Sequence, residues 1–164
     1  MSDSKLYFGY FYSPLGEIEI VSSDTALLSL KFVIVGGKSL DKQPPLSSPI
    51  NEKVKNQLDL YFSKQIKNFD LPLKPAGTDF QKEVWNQLLK IPYGTTVSYL
   101  SLAKKLGDEN AIRAVAAANG KNPIAIVIPC HRVIGSDGKL VGYSGDLARK
   151  KWLIEHESFQ ESLF

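Results

Sequence analysis

Cys130 is the only cysteine in a chain of 164 residues, and it is followed by His131, one of two histidines, and by Arg132. A thiol attacks carbon as its thiolate, and forming the thiolate takes a base or a positive field close by. The imidazole and the guanidinium in the next two positions are one of each. A lone thiol forms no internal disulfide, and one cysteine with two histidines is too few ligands for a structural zinc. Two readings of Cys130 remain: an inert core thiol, since free cysteine is among the most buried residue types, or a nucleophile. Adjacency to His131 does not decide between them. Consecutive side chains on an extended strand diverge, so the two groups converge only where the chain turns. The apolar run 124–128 predicts a buried strand that ends at Pro129, with Gly135 soon after. The expectation is a thiol held at a strand end and presented at a turn.

The elements that must position this segment follow from periodicity and punctuation. Residues 6–12, 17–23 and 27–35 read as strands of an antiparallel meander, with Ile18 and Ile20 on one face and Glu17 and Glu19 on the other. A loop with three prolines covers 36–49, and Pro49 opens a helix whose Val54, Leu58 and Tyr61 recur at helical spacing. Residues 71–77 are the best linker, dividing the chain into a supporting domain, 1–75, and a second domain, 76–164. Thr78 and Gln81 have capping-box spacing ahead of a helix carrying Phe80, Val84, Trp85 and Leu88.

A pair of helices comes next. Ser98 caps 99–106, with Leu102, Ala103 and Leu106 inward. After a turn at 107–110, the helix 111–119 has Ile112, Val115, Ala116 and Asn119 on one face and Arg113, Ala114 and Ala117 on the other. This is the size of a helix-turn-helix, though αα-hairpins also occur as plain structure. A helix that reads bases shows several long polar side chains, whereas this outer face is one arginine among alanines. Such a face suits close approach to a DNA backbone or minor groove, with Arg113 as the group that reaches in. Beyond Cys130, a turn covers 136–139, a glycine-rich segment covers 140–145, and a last helix covers 146–157 with Arg149, Lys150 and Lys151 on its outside. Glu157 lies on the apolar side with Leu153 and Ile154. It is either a frayed helix end or an inward carboxylate in need of a partner, for which His131 is the candidate.

Composition bounds the class: 43% hydrophobic and 23% charged residues are those of a soluble globular chain. No apolar run approaches the roughly 20 residues of a membrane span, and residues 1–11 lack the order of a signal peptide. With a single cysteine this gives a cytoplasmic expectation. A net charge of +3 suits a polyanionic partner without identifying one.

In order along the chain stand a helix-turn-helix carrying Arg113-Ala114-Val115, then Asn122-Pro123, then Ile128-Pro129-Cys130-His131-Arg132-Val133, then Gly142-Tyr143-Ser144-Gly145, then a helix ending in His156-Glu157. This order closely resembles the O6-alkylguanine-DNA alkyltransferases, the methylated-DNA–protein-cysteine methyltransferases. The resemblance covers most of 78–157, and the N-terminal meander and helix fit the family's smaller domain. It implies an α/β (α+β) fold: a small antiparallel sheet with a helix, then a mainly helical domain bearing the helix-turn-helix and the active cysteine. By the same resemblance Cys130 is the alkyl acceptor, His131 the base acting through a water, and Glu157 the carboxylate that holds the imidazole. Tyr99 assists base flipping and protonates the leaving guanine, and Asn122 braces the turn around the cysteine. Arg113 takes the place of the extruded nucleotide, with Ala114 and Ala117 beside it on the DNA; Tyr143 and Ser144 line the guanine pocket, and Val133 is among the substrate- and DNA-binding residues. The implied partner is double-stranded DNA containing O6-alkylguanine, bound through the minor groove by a monomer. Minor action on O4-alkylthymine is compatible. No cofactor, metal or membrane is implied, and residues 1–75 contain no cysteine or histidine for the metal that some relatives hold there. Rival readings are a non-catalytic binder of damaged DNA, a helix-turn-helix regulator, or a thiol hydrolase using Cys130 and His131.

Overall fold

Period-two alternation places Ile18 and Ile20 in the interior of a sheet while Glu17 and Glu19 stay half-buried on its other face. The computed structural model describes residues 5–33, 42–140 and 147–158, and the chain divides into two units, Met1–Ala76 and Gly77–Phe164. In the first unit β1 (Tyr7–Ser13), β2 (Gly16–Ser22) and β3 (Leu27–Phe32) form an antiparallel sheet in sequence order. The turn between β1 and β2 closes on Gly16, whose φ of +115° few other residues adopt. Helix α1 (Pro49–Phe62) starts with proline in its first turn, where no N–H is needed, and Ser48 accepts from the Asn51 N–H at 3.0 Å. Its Val54, Leu58 and Tyr61 join Ile18, Ile20, Leu27 and Leu30 in one apolar core. The 71–77 stretch, expected as a linker, is partly docked. The Leu27 N–H donates to the Pro72 carbonyl at 2.7 Å and the Lys74 N–H to the Leu27 carbonyl at 2.9 Å. An unpaired strand edge was available there, and main-chain groups took it.

In the second unit Thr78 and Gln81 form the reciprocal capping box at the start of α2 (Asp79–Leu88). Trp85 is fixed by its indole N–H, which donates to the Ala118 carbonyl at 2.9 Å. A Cβ on Gly77 would lie 2.5 Å from that ring and 2.8 Å from Gln81 Oε1. Gly77→Ala is therefore expected to destabilise the protein by about 1–3 kcal/mol, read as a lower thermal midpoint. An unchanged midpoint would mean that the ring gives way freely.

The helix pair is α3 (Tyr99–Lys105), capped by Ser98, and α4 (Ile112–Gly120), with a 3-10 turn at Glu109–Ala111 between them. Arg113, Ala114 and Ala117 are exposed and Val115 and Asn119 buried, as the spacing predicts. Ile112 was expected inside and is 38% exposed, while Ala118 takes the inward place. The 3-10 start turns the first α-helical residue out of register with the stripe. The last helix, α5 (Leu147–Ser158), buries Lys150, Leu153, His156 and Glu157. Lys150, expected on the outside, is therefore inside. Val97 and Ser98 (β4) pair in parallel with Val133 and Ile134 (β5), tying the cap of α3 to the residues that follow the cysteine.

The expected strand at 124–128 is not one. The Val127 N–H donates to the Ala125 carbonyl, the Ile128 N–H to Ile124 and the Cys130 N–H to Ile128, at 2.7, 3.0 and 2.8 Å, so the segment is a series of turns. Ile126 sits at φ +71°, a conformation that costs a β-branched residue on the order of 1–3 kcal/mol. An unbroken apolar run records burial, and a packed loop meets that requirement as well as a strand does.

Candidate active site

Cys130–Arg132 is a single 3-10 turn, so the chain does turn at the thiol. All three side chains are buried, Cys130 with 6% exposure and His131 with none. The loop before them is braced by Asn122: Oδ1 accepts from the Ile124 N–H at 2.9 Å and Nδ2 donates to the Ile128 carbonyl at 2.7 Å. One carboxamide thus replaces the ladder that a neighbouring strand would have supplied.

Glu157 reaches this turn from α5. Its Oε2 is 2.9 Å from His131 Nε2 and accepts from Arg132 Nη2 at 2.9 Å, while Oε1 accepts from Arg132 Nε at 2.8 Å. Arg132 Nη1 donates to the Ile91 carbonyl at 2.7 Å. Burial alone would raise the Glu157 pKa, but the hydrogen bonds from His131 and Arg132 outweigh it and hold the carboxyl well below its usual range. As a carboxylate it only accepts, so Nε2 carries the imidazole proton. His131 Nδ1 is then the lone-pair nitrogen, and it is buried with no hydrogen-bond partner. Burial holds the imidazole neutral, below its ordinary 6.5, against the opposing pull of Glu157. The arrangement is an oriented, neutral base next in sequence to the thiol.

Burial also pushes the Cys130 thiol up from its ordinary 9.0, with Asn122 and Lys150 acting the other way. Burial thus favours the neutral thiol over a standing thiolate, so attack by sulfur would call for a base to take its proton. Lys150 is fully buried, its Nζ 5.7 Å from the Tyr99 ring centre, and burial lowers its pKa to about 8. Tyr99, 4% exposed, is linked to the same turn through Asn119.

Cys130, His131, Glu157, Tyr99 and Asn122 therefore gather around one turn. Val133 is fully buried immediately after it, and Arg113, Ala114 and Ala117 lie on the exposed face of α4. Tyr143 and Ser144 lie outside the described residues. Sequence reasoning missed the part of Arg132 as second partner of Glu157, and the burial of Lys150. The signal for Lys150 was its i, i+3, i+7 spacing with Leu153 and Glu157. No cluster of histidine, cysteine, aspartate or glutamate among the described residues could hold a metal ion, and no helix among them is long and apolar enough to cross a membrane.

Residues 79–159 match the family model described as 6-O-methylguanine DNA methyltransferase, DNA binding domain, and residues 6–75 match the ribonuclease-like domain of the same family. A methylated-DNA–protein-cysteine methyltransferase of Methanosarcina acetivorans is 44% identical over 156 residues, 93% of this chain and 98% of the relative. The crystal structure of Mycobacterium tuberculosis O6-methylguanine methyltransferase superposes with a TM-score of 0.86 at 37% identity, covering 96% of both chains. The same organism's OGT, solved in complex with DNA, gives 0.82 at 40% identity over 92% of both. With both family models matched in order and relatives aligned along nearly their whole length, this chain belongs to the 6-O-methylguanine DNA methyltransferase family.

Proposed function

We propose that this protein repairs DNA by transferring the alkyl group of O6-alkylguanine irreversibly to its own Cys130. One observation carries the assignment of the residues: the only thiol in the chain shares a turn with an imidazole whose Nε2 is committed to Glu157 and whose Nδ1 lone pair is uncommitted. The lesion must leave the base stack, because a thiol enclosed in the protein cannot reach O6 inside a duplex. Arg113, on the otherwise small-residue face of α4, fills the gap from the minor-groove side, and Ala114 and Ala117 let the helix approach. Tyr143 and Ser144 line the purine pocket, and Val133 belongs to the substrate-binding set. The protein works as a monomer, in the cytoplasm, where a lone thiol stays reduced.

The steps balance without a cofactor. His131 Nδ1 takes the thiol proton through a water, and Glu157 steadies the imidazolium. Sulfur bonds to the alkyl carbon as the carbon–O6 bond breaks. The electron pair left on guanine takes a proton from Tyr99, and the phenolate and imidazolium re-equilibrate through solvent. The product is a thioether, which has no carbonyl for water to attack, so each molecule acts once. Intact mass after incubation with a duplex holding O6-methylguanine tests this. The expected result is a gain of one methylene on the peptide containing Cys130. Binding with no gain favours a non-catalytic binder, and repeated turnover excludes the single-use mechanism.

The pKa directions also predict a pH profile. The thiolate–imidazolium pair has the same proton count as the neutral pair, so its fraction is constant between the two pKa values. With His131 lowered from 6.5, the transfer rate stays level as pH falls through 6.5. On the alkaline side it declines from about 8, as Lys150 loses its charge beside the thiol. A fall centred on pH 6.5 would contradict a buried, neutral base.

A further inference from the structure

Asn119 has no part in the scheme above, yet its carboxamide lies between two of the groups that do. It is 1% exposed in the last turn of α4, and its nitrogen donates to the Tyr99 phenol oxygen at 3.4 Å and to the Cys130 carbonyl at 3.3 Å. Its own oxygen is buried without a partner. A carboxamide can lie either way round, and its neighbours decide which. The Cys130 carbonyl only accepts, so the nitrogen must face it. The reverse orientation would set two oxygens against each other 3.3 Å apart. The same nitrogen then faces the phenol. Tyr99 therefore receives a hydrogen bond on this side and cannot give its own proton there.

We infer that Asn119 is a positioning residue for the transfer step: by donating into the Tyr99 oxygen it directs the phenol proton toward the departing guanine, and by donating to the Cys130 carbonyl it keeps proton donor and nucleophile in one frame. The inference rests on the proposed function, in which Tyr99 protonates guanine as sulfur takes the alkyl carbon. It also joins the helix that bears Arg113 to the turn that bears the thiol, since Asn119 lies in the last turn of the helix whose first turn carries the arginine.

The test is single-turnover methyl transfer from a duplex containing O6-methylguanine by the wild type, Asn119→Ala, Tyr99→Phe and the double variant. Asn119→Ala is expected to lower the rate at saturating DNA by about tenfold or more with half-saturation unchanged. It should add little to the loss already caused by Tyr99→Phe. Alkylation of Cys130 by iodoacetamide, whose leaving iodide needs no proton, should proceed in Asn119→Ala within about twofold of wild type. The same fold-loss in both Tyr99 backgrounds, or an equal loss toward iodoacetamide, overturns the inference and leaves Asn119 a packing residue. Should Asn119→Ala not fold, Asn119→Asp, of nearly the same shape, is read in the same two backgrounds. Wild type that acquires no methyl overturns the proposed function itself, whereas wild type that does, alongside fully active Asn119 variants, overturns this inference alone.

Discussion

Replacing Glu157 by alanine is expected to destabilise the protein by about 3–5 kcal/mol and to slow methyl transfer by about 10²–10⁴-fold. Three N–H groups converge on its two oxygens, from His131 Nε2 and from Arg132 Nε and Nη2. Without them a guanidinium only 7% exposed loses its counter-charge. The imidazole also becomes free to carry its proton on Nδ1, the nitrogen proposed above as the base. Glu157→Gln separates the two effects: the amide keeps the shape, but its one acceptor oxygen cannot serve three donors. Chemical denaturation and single-turnover rates measure each. A Glu157→Ala protein as stable and as fast as wild type would remove Glu157 from both roles.

The same cluster makes acid destabilising. The folded-state pKa of Glu157 is depressed, so its contribution is present above the unfolded value near 4.5 and is lost as pH falls through the folded one. His131 is also depressed, from 6.5, so the unfolded chain binds its proton first and stability begins to fall below that pH. Both terms have the same sign. The thermal midpoint should decline below pH 6.5 and more steeply below 4.5.

The other large effect is complete loss of uptake. Cys130→Ala should acquire no methyl from O6-methylguanine in DNA while still binding the lesion-bearing duplex, because no other thiol exists in the chain. The change removes one sulfur from a buried turn and leaves Arg113 and the outer face of α4 untouched, so binding and chemistry separate. Label appearing on Cys130→Ala would place the acceptor elsewhere. Loss of binding together with uptake would mean that the thiol supports the fold of the DNA-facing unit.

Much of this was legible from local rules. The capping box at Thr78, the cap at Ser98 and the inward lean of Glu157 need only a few neighbours in sequence. What was illegible depends on tertiary choice. The run 124–128 is apolar because it is buried, and nothing in five consecutive apolar residues says that Asn122 will supply hydrogen bonds in place of a strand. Lys150 sits among Arg149 and Lys151, and three cations in a row look solvated unless helical spacing is allowed to outvote composition. Arg132 looked like a source of positive field for the thiol. Its actual partner is a carboxylate 25 positions further along the chain, a pairing that no local pattern encodes.

That sequence distance bears on biosynthesis. Glu157, which holds the imidazole, arrives 26 residues after His131, near the end of α5. A nascent chain that has emerged only through the cysteine turn carries thiol and imidazole without the carboxylate that fixes the imidazole proton on Nε2. Any fragment cut between the turn and Glu157 keeps the thiol, the imidazole and Arg113 yet leaves an interior cation unbalanced. Translation thus delivers the partner of the imidazole well after the turn that depends on it.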